Sequence, residues 1–144
     1  MVNEGTKKLM ESLNAMVDNG DITPDIFYYR AGALRLMGQA PKAYMDLSLA
    51  LSLDPTKVLY LLERSLIYHE MGLHDRAVHD IDLCVEVSND FLDQINEARE
   101  KIYNDPIEIP DELRVQIENY CDGIDSLAVE ALYELVRGTD YSVE

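Results

Sequence analysis

Apolar residues recur at three- and four-residue steps along almost the whole chain, with polar residues at the intervening positions. This period is typical of amphipathic helices, and no segment shows the strict alternation that marks a strand. Glycine or proline follows most of the periodic segments, as expected at helix ends. The pattern predicts an all-α protein of about seven helices. The periodic segments number eight, at residues 3–19, 24–37, 42–53, 56–71, 75–87 and 91–104, and at 111–121 and 126–137 in a C-terminal part divided at Asp122-Gly123.

Residues 24–91 contain one pattern written twice, at a spacing of 34 residues. The shift superimposes identical residues at several sites, namely Arg30 and Arg64, Met37-Gly38 and Met71-Gly72, Ala43 and Ala77, Asp46 and Asp80, and Leu49 and Leu83. A fixed period of this length is the signature of a solenoid unit rather than a closed globular domain.

The repeat divides the chain into three segments. Residues 1–20 form a leading helix, whose apolar positions align with the second half of a repeat. Residues 21–104 form the array. Residues 105–144 form an acidic C-terminal helical cap, which begins after Pro106 and Pro110 and ends in a short frayed tail from Gly138.

Large and small apolar residues occupy fixed places in each copy. The first copy has Phe27, Ala31, Leu34, Gly38, Ala43, Leu47 and Ala50, closed by Leu53-Asp54-Pro55. The second has Leu61, Ser65, Tyr68, Gly72, Ala77, Ile81, Cys84 and Val87, and departs from the pattern at Ser88-Asn89. This arrangement resembles the tetratricopeptide repeat, with about two full repeats (24–57 and 58–91) and partial repeats or capping helices at both ends. The resemblance implies an α-solenoid of antiparallel helix pairs.

Each copy has one arginine in the packed part of its first helix, which is an unusual place for a charged residue. Arg30 and Arg64 are each followed 16 residues later by an aspartate, Asp46 or Asp80. Many tetratricopeptide-repeat proteins pair such residues, so the resemblance implies ion pairs that fix helix register. The alternative is an arginine that binds a ligand.

The resemblance also implies a concave groove lined by the first helix of each unit, in which a peptide or helix of a partner lies. The positions that would face this groove and contact the partner are Tyr28, Arg35, Leu59, Leu62, Leu66 and His69. Exposed leucines in a row indicate either a binding groove or a contact with another part of the chain. The alternative here is that the C-terminal helix folds over them. The lysines and asparagines with which some family members clamp the acidic tails of chaperones are absent.

The net charge of −16 is uneven, because residues 90–144 carry 15 acidic against 4 basic residues. An acidic surface repels a phosphate backbone, so binding to nucleic acid is not expected. An apolar or basic peptide of a protein partner is expected instead.

Little in the sequence indicates chemistry. His69, His74 and His79 are spaced too far apart to share a helical face, although a zinc or nickel site built on His79 with Asp75 and Asp82 is conceivable. Cys84 aligns with Ala50 and is expected to be a buried thiol. Acidic neighbours of Cys121 should raise its pKa. We therefore expect no enzyme activity, no metal and no cofactor.

Met1 is not followed by a signal-peptide pattern, and no apolar run approaches about 18 residues, so a cytoplasmic protein without a membrane span is expected. The function expected is that of a non-enzymatic adaptor that binds a protein partner. The alternatives are a self-associating scaffold, such as a homodimer, a small chaperone for a secreted or aggregation-prone protein, and an acidic mimic of nucleic acid.

Overall fold

The computed structural model describes residues 4–20 and 23–141, with side chains at 4–20, 23–128 and 130. Within this part the chain is all-α, as predicted, and forms seven helices with no strand. They are α1 (Glu4–Asp18), α2 (Pro24–Leu36), α3 (Ala40–Leu53), α4 (Val58–Glu70), α5 (His74–Val87), α6 (Leu92–Asn104) and α7 (Asp111–Tyr141).

The two repeat units are the helix pairs α2–α3 and α4–α5, each joined by a tight turn. Gly38 and Gly72 adopt positive φ angles of 76° and 80° in these turns. The amide of the residue after each glycine donates to a carbonyl five residues earlier, at Leu34 and Tyr68. This is the Schellman ending of a helix, in which glycine is favoured because a Cβ is strained at positive φ.

Small residues hold the paired helices close together. Ala31, Ala43, Ala50 and Ala77 are fully buried, and the larger Leu47 and Ile81 fill the space between them, in a core to which α2 to α7 all contribute. Burial of this apolar surface, together with close packing, is the main stabilising term of the array.

The helices follow one another in a solenoid-like order. α4 contacts α2 on one side and α6 on the other, so α2, α4 and α6 lie side by side. α1 packs on α2, and α6 packs on α4 and α5 through Ile95, Ala98 and Ile102.

The C-terminal segment differs from the prediction in two ways, because it is one helix of 31 residues rather than two and it continues to Tyr141 where fraying was expected. It packs on α3, so the alternative in which it folds over the leucines of α4 is not the arrangement found. Residues 142–144 of the expected tail lie outside the described residues. Cys121 and Ile124 are buried on either side of Gly123, so packing outweighs the helix penalty of about 1 kcal/mol for that glycine.

Candidate partner-binding groove

A cleft of about 460 Å³ opens between α2, α4 and α6. Its floor is apolar, its rim is charged, and its lining residues are Arg35, Leu62, Leu66, Gln94, Glu97, Ala98 and Lys101. Three of the six residues predicted to contact a partner, Arg35, Leu62 and Leu66, therefore line one depression. The lining residues of α6 were not foreseen, because this helix lies outside the two well-matched repeats.

The floor of the cleft owes its shape to a small residue facing large ones. Leu62 is 8% exposed and Leu66 is half-buried on α4, while Ala98 is 5% exposed on the facing side of α6. Alanine brings α6 close without filling the space above the leucines. The expectation that Leu62 is freely exposed is wrong, because α6 covers part of it.

Arg35 is held by two carboxylates of the neighbouring helix. Its guanidinium pairs with Glu63 and lies 3.7 Å from Glu70, and only 14% of the arginine side chain is exposed. This contact joins α2 to α4 along the edge of the cleft. Since Arg35 already has two acidic partners, it is not available to neutralise an acidic peptide.

His69 lies apart from the cleft and is not exposed. It is 3% exposed near Lys101, Asp105 and His74, and burial lowers the pKa of its imidazole. The expectation that it faces a partner is therefore wrong. Leu59, the remaining apolar candidate, is half-buried near the start of α4.

Tyr28 belongs to an aromatic cluster at the beginning of α2 and α4. Its ring centroid lies 5.2 Å from that of Tyr29 and 5.1 Å from that of Tyr60. The Tyr60 hydroxyl donates to the carboxylate of Asp25, and the ammonium of Lys57 lies 3.0 Å from the same carboxylate. That ammonium is also 5.0 Å from the centroid of the Tyr60 ring, within the range of a cation–π contact.

The two arginine–aspartate pairs that the resemblance implied are present with bidentate geometry. Arg30 donates to both carboxylate oxygens of Asp46 at 2.7 Å, and Arg64 donates to both oxygens of Asp80 at 2.8 Å. Asp80 is 1% exposed, and burial raises its pKa although Arg64 favours the charged form. Each pair connects the two helices of one unit, so neither lines the cleft.

A polar network attaches α7 to the array, and it was not among the predicted contacts. The hydroxyl of Tyr44 donates to Asp125 at 2.9 Å and lies 3.0 Å from the hydroxyl of Tyr68, while Ser48 donates to Asp125 at 3.2 Å. Arg76 of α5 completes the attachment with ion pairs to Glu118 and Asp122. The only available signal was an aspartate on the apolar stripe of α7.

The two cysteines considered for chemistry lie in the core. Cys84 and Cys121 are both free and fully buried. Burial raises the pKa of the Cys84 thiol to about 11 and that of Cys121 to about 12, where the nearby Asp125 and Asp122 act in the same direction. Within the described residues, no group of three or more His, Cys, Asp or Glu side chains is arranged to hold a metal ion.

A scan against protein-family models, a search of curated proteins and a search of solved structures each found no match. No helix in the described ranges, 4–20 and 23–141, combines the length and the apolar character needed to cross a bilayer.

Proposed function

We propose that this protein is a non-enzymatic adaptor of the tetratricopeptide type, which binds an apolar or basic peptide or helix of a partner protein. The observation that carries the proposal is the cleft of about 460 Å³ between α2, α4 and α6. Side chains of three neighbouring helices meet there over an apolar floor, and a peptide laid in the cleft would contact all three. This is recognition of a helix or peptide in a groove, in which apolar anchors supply most of the affinity.

The assignment to the tetratricopeptide type rests on the repeated residues and their places. The same spacing of 34 residues relates the two turn glycines, the buried alanines Ala43 and Ala77, and the two arginine–aspartate pairs. The helix order supports the proposal too, because α2, α4 and α6 are neighbours as first helices of successive repeats would be.

Charge supports a basic rather than an acidic partner. Within the cleft Arg35 is engaged by Glu63 and Glu70, and the exposed Glu97 and Lys101 of the rim carry opposite charges, so the preference comes from the net charge of −16 of the whole chain. A positively charged segment would be attracted over a long range and its encounter would be weakened by salt. The proposal includes the cytoplasm as the compartment, with which two free cysteines and no disulfide between them are consistent.

The experiment is affinity capture from a native lysate with three immobilised proteins, the wild type, Leu66→Asp and Val115→Asp. Leu66 is half-buried on the cleft floor, while Val115 is 48% exposed on α7 and serves as the matched control. We expect one or more proteins to be retained by the wild type and by Val115→Asp and lost from Leu66→Asp. Circular dichroism establishes whether each variant keeps its helical content.

A second variant tests the cleft by a change that should leave the fold intact. Glu97→Lys reverses a charge on the exposed rim without burying anything, and it should weaken retention of a basic partner while leaving the melting temperature unchanged. Equal retention by the wild type, Leu66→Asp and Glu97→Lys would show that the cleft is not the binding surface.

A further inference from the structure

The aromatic cluster at the beginning of α2 and α4 already holds a cation. The Lys57 ammonium lies 5.0 Å above the Tyr60 ring and 3.0 Å from a carboxylate oxygen of Asp25. Tyr28 flanks Tyr60 with its ring centroid 5.1 Å away, and the Tyr60 hydroxyl is anchored on Asp25. An aromatic face with an anion at its edge is the usual recognition site for a positively charged side chain.

The side chain that fills this site is weakly held. Lys57 and Asp25 are 39% and 52% exposed, and ion pairs with this exposure contribute little because water and salt screen them. Lys57 also caps the start of α4 without a side-chain hydrogen bond to the helix, so the helix does not need its ammonium. Tyr60, in contrast, is 1% exposed, and Lys57 lies over its ring. The packed tyrosine therefore keeps its position when the lysine side chain moves away.

We propose that Lys57 is a stand-in, and that an arginine of the bound peptide displaces it and takes its place on Tyr60 and Asp25. The inference rests on the proposed peptide-binding function and names one residue that the peptide must carry. The hydroxyl-bearing edge of Tyr60 and the carboxylate of Asp25 stay in place, and only the lysine side chain swings into solvent.

Arginine fits the site better than a second lysine for two reasons. A planar guanidinium stacks on an aromatic ring and can donate two hydrogen bonds to one carboxylate, whereas an ammonium acts as a single point charge. A guanidinium is also less strongly hydrated and loses less on entering a half-buried site. The hydrogen bond from Tyr60 and that from Lys57 lower the pKa of Asp25, which is consistent with a charged carboxylate as the receiving group.

The position of the site sets the spacing of the peptide. The cation site lies between α2 and α4, and the apolar floor of the cleft lies between α4 and α6. Neighbouring helix axes are about 8–10 Å apart, and Leu62 and Leu66 lie about 3–9 Å further along α4 than Tyr60, at about 1.5 Å per residue. The two sites are thus separated by about 9–13 Å, which about three to four residues of an extended chain span. The peptide is therefore expected to present an arginine about three to four residues from a leucine or similar apolar residue.

The experiment uses the full chain and capped twelve-residue peptides of serine and alanine that carry one arginine and one leucine three residues apart, in both orders. A second pair of peptides carries citrulline, which keeps the shape of arginine and removes its charge. Binding is followed by NMR, with the methyl groups of Leu62 and Leu66 reporting the cleft and the ring protons of Tyr60 reporting the cation site. We expect an arginine peptide to bind about fivefold more tightly than its citrulline counterpart.

Two variants separate displacement of Lys57 from general electrostatic attraction. Lys57→Ala vacates the site, whereas Lys42→Ala makes the same change of charge at an exposed position on α3. The preference for arginine over citrulline should increase in Lys57→Ala and stay unchanged in Lys42→Ala. It should disappear in Asp25→Asn, which keeps the size of the side chain.

Each outcome decides between the two proposals. Equal binding of the arginine and citrulline peptides, with shifts at the Leu62 and Leu66 methyls, overturns the arginine site and leaves the cleft as the binding surface. An equal increase of the preference in Lys57→Ala and Lys42→Ala also overturns it, because charge alone would then explain the effect. No shift with any peptide counts against both proposals.

Discussion

The hydroxyl of Tyr44 donates a 2.9 Å hydrogen bond to the carboxylate of Asp125, although the two residues are 81 positions apart in the chain. Tyr44 is fully buried in α3, and Ser48 donates to the same carboxylate at 3.2 Å. This contact holds the C-terminal helix on α3, together with the burial of Cys121 and Ile124 and the ion pairs of Arg76. α7 covers α3, and the cleft formed by α2, α4 and α6 stays open.

Removal of that carboxylate should destabilise the protein. Asp125→Ala leaves the buried Tyr44 hydroxyl without its acceptor, although Tyr68 remains 3.0 Å away, and we expect a loss of about 1–3 kcal/mol in the free energy of unfolding. Urea unfolding followed by circular dichroism measures it. The double variant Tyr44→Phe/Asp125→Ala should lose less stability than the sum of the two single variants. It removes both the hydroxyl and the carboxylate, so neither group is left without its hydrogen-bond partner. Additive costs would show that the hydrogen bond contributes nothing.

Gly123 offers a stabilising substitution on the same helix. A Cβ at this position would meet no atom within 4 Å, and the residue lies inside α7 with ordinary helical backbone. Gly123→Ala should raise the free energy of unfolding by about 0.5–1 kcal/mol, since alanine favours the helix and restricts the unfolded chain. Thermal unfolding measures the gain. A loss of stability would contradict the continuous helix through this point.

Gly72 provides the opposite case. Its φ of +80° is unfavourable for any residue with a Cβ, and an added Cβ would lie 2.9 Å from the side chain of Ile109. Gly72→Ala should therefore destabilise the protein by about 1 kcal/mol or more, through backbone strain and displacement of the segment before α7. Gly38→Ala is the matched control, because its φ is also positive but a Cβ there would meet nothing. An equal loss in both variants would show that Ile109 yields without cost.

The fold was predictable from the sequence where its contacts are local or repeat at a fixed spacing. Gly38 and Gly72 predicted the turns, and the resemblance to the tetratricopeptide repeat implied that Arg30 and Arg64 pair with Asp46 and Asp80, as they do. These features depend on residues within one helix pair, which recur at the period of the repeat.

The features that escaped prediction depend on contacts between distant segments. Gly123 suggested a break, but burial of Cys121 and Ile124 against the rest of the chain keeps the helix intact. Leu62 and His69 looked exposed on a helix taken alone, yet α6 and the residues after it cover them. Arg35 looked available for a ligand, whereas Glu63 and Glu70 engage it. The sequence therefore indicated the side of α4 on which the cleft lies, and it could not indicate which of those residues remain accessible.

Loss of Asp80 should be more costly than loss of most single side chains. Arg64 would keep its charge in a place where three-quarters of its side chain is shielded, because 23% is exposed. We expect Asp80→Ala to lower the free energy of unfolding by about 3–5 kcal/mol, as for other buried pairs that lose one partner. Urea unfolding gives the value. Replacing both residues, with Arg64→Met and Asp80→Leu, should recover much of the loss, because no charge is then left without a partner. No recovery in the double variant would show that the loss does not come from the unpaired charge of Arg64.

His69 should make stability depend on pH. Burial lowers the pKa of its imidazole below the ordinary value of 6.5, and the neighbouring Lys101 and His74 act in the same direction while Asp105 opposes them. The folded protein therefore binds fewer protons at this site than the unfolded chain, so the stabilising contribution is complete above about pH 6.5 and is lost as the pH falls below it. Urea unfolding between pH 7.5 and pH 5 should show a decline in the wild type and in His79→Gln, whose histidine is exposed, and a smaller decline in His69→Gln. The same slope in all three proteins would show that protonation of His69 is not coupled to unfolding.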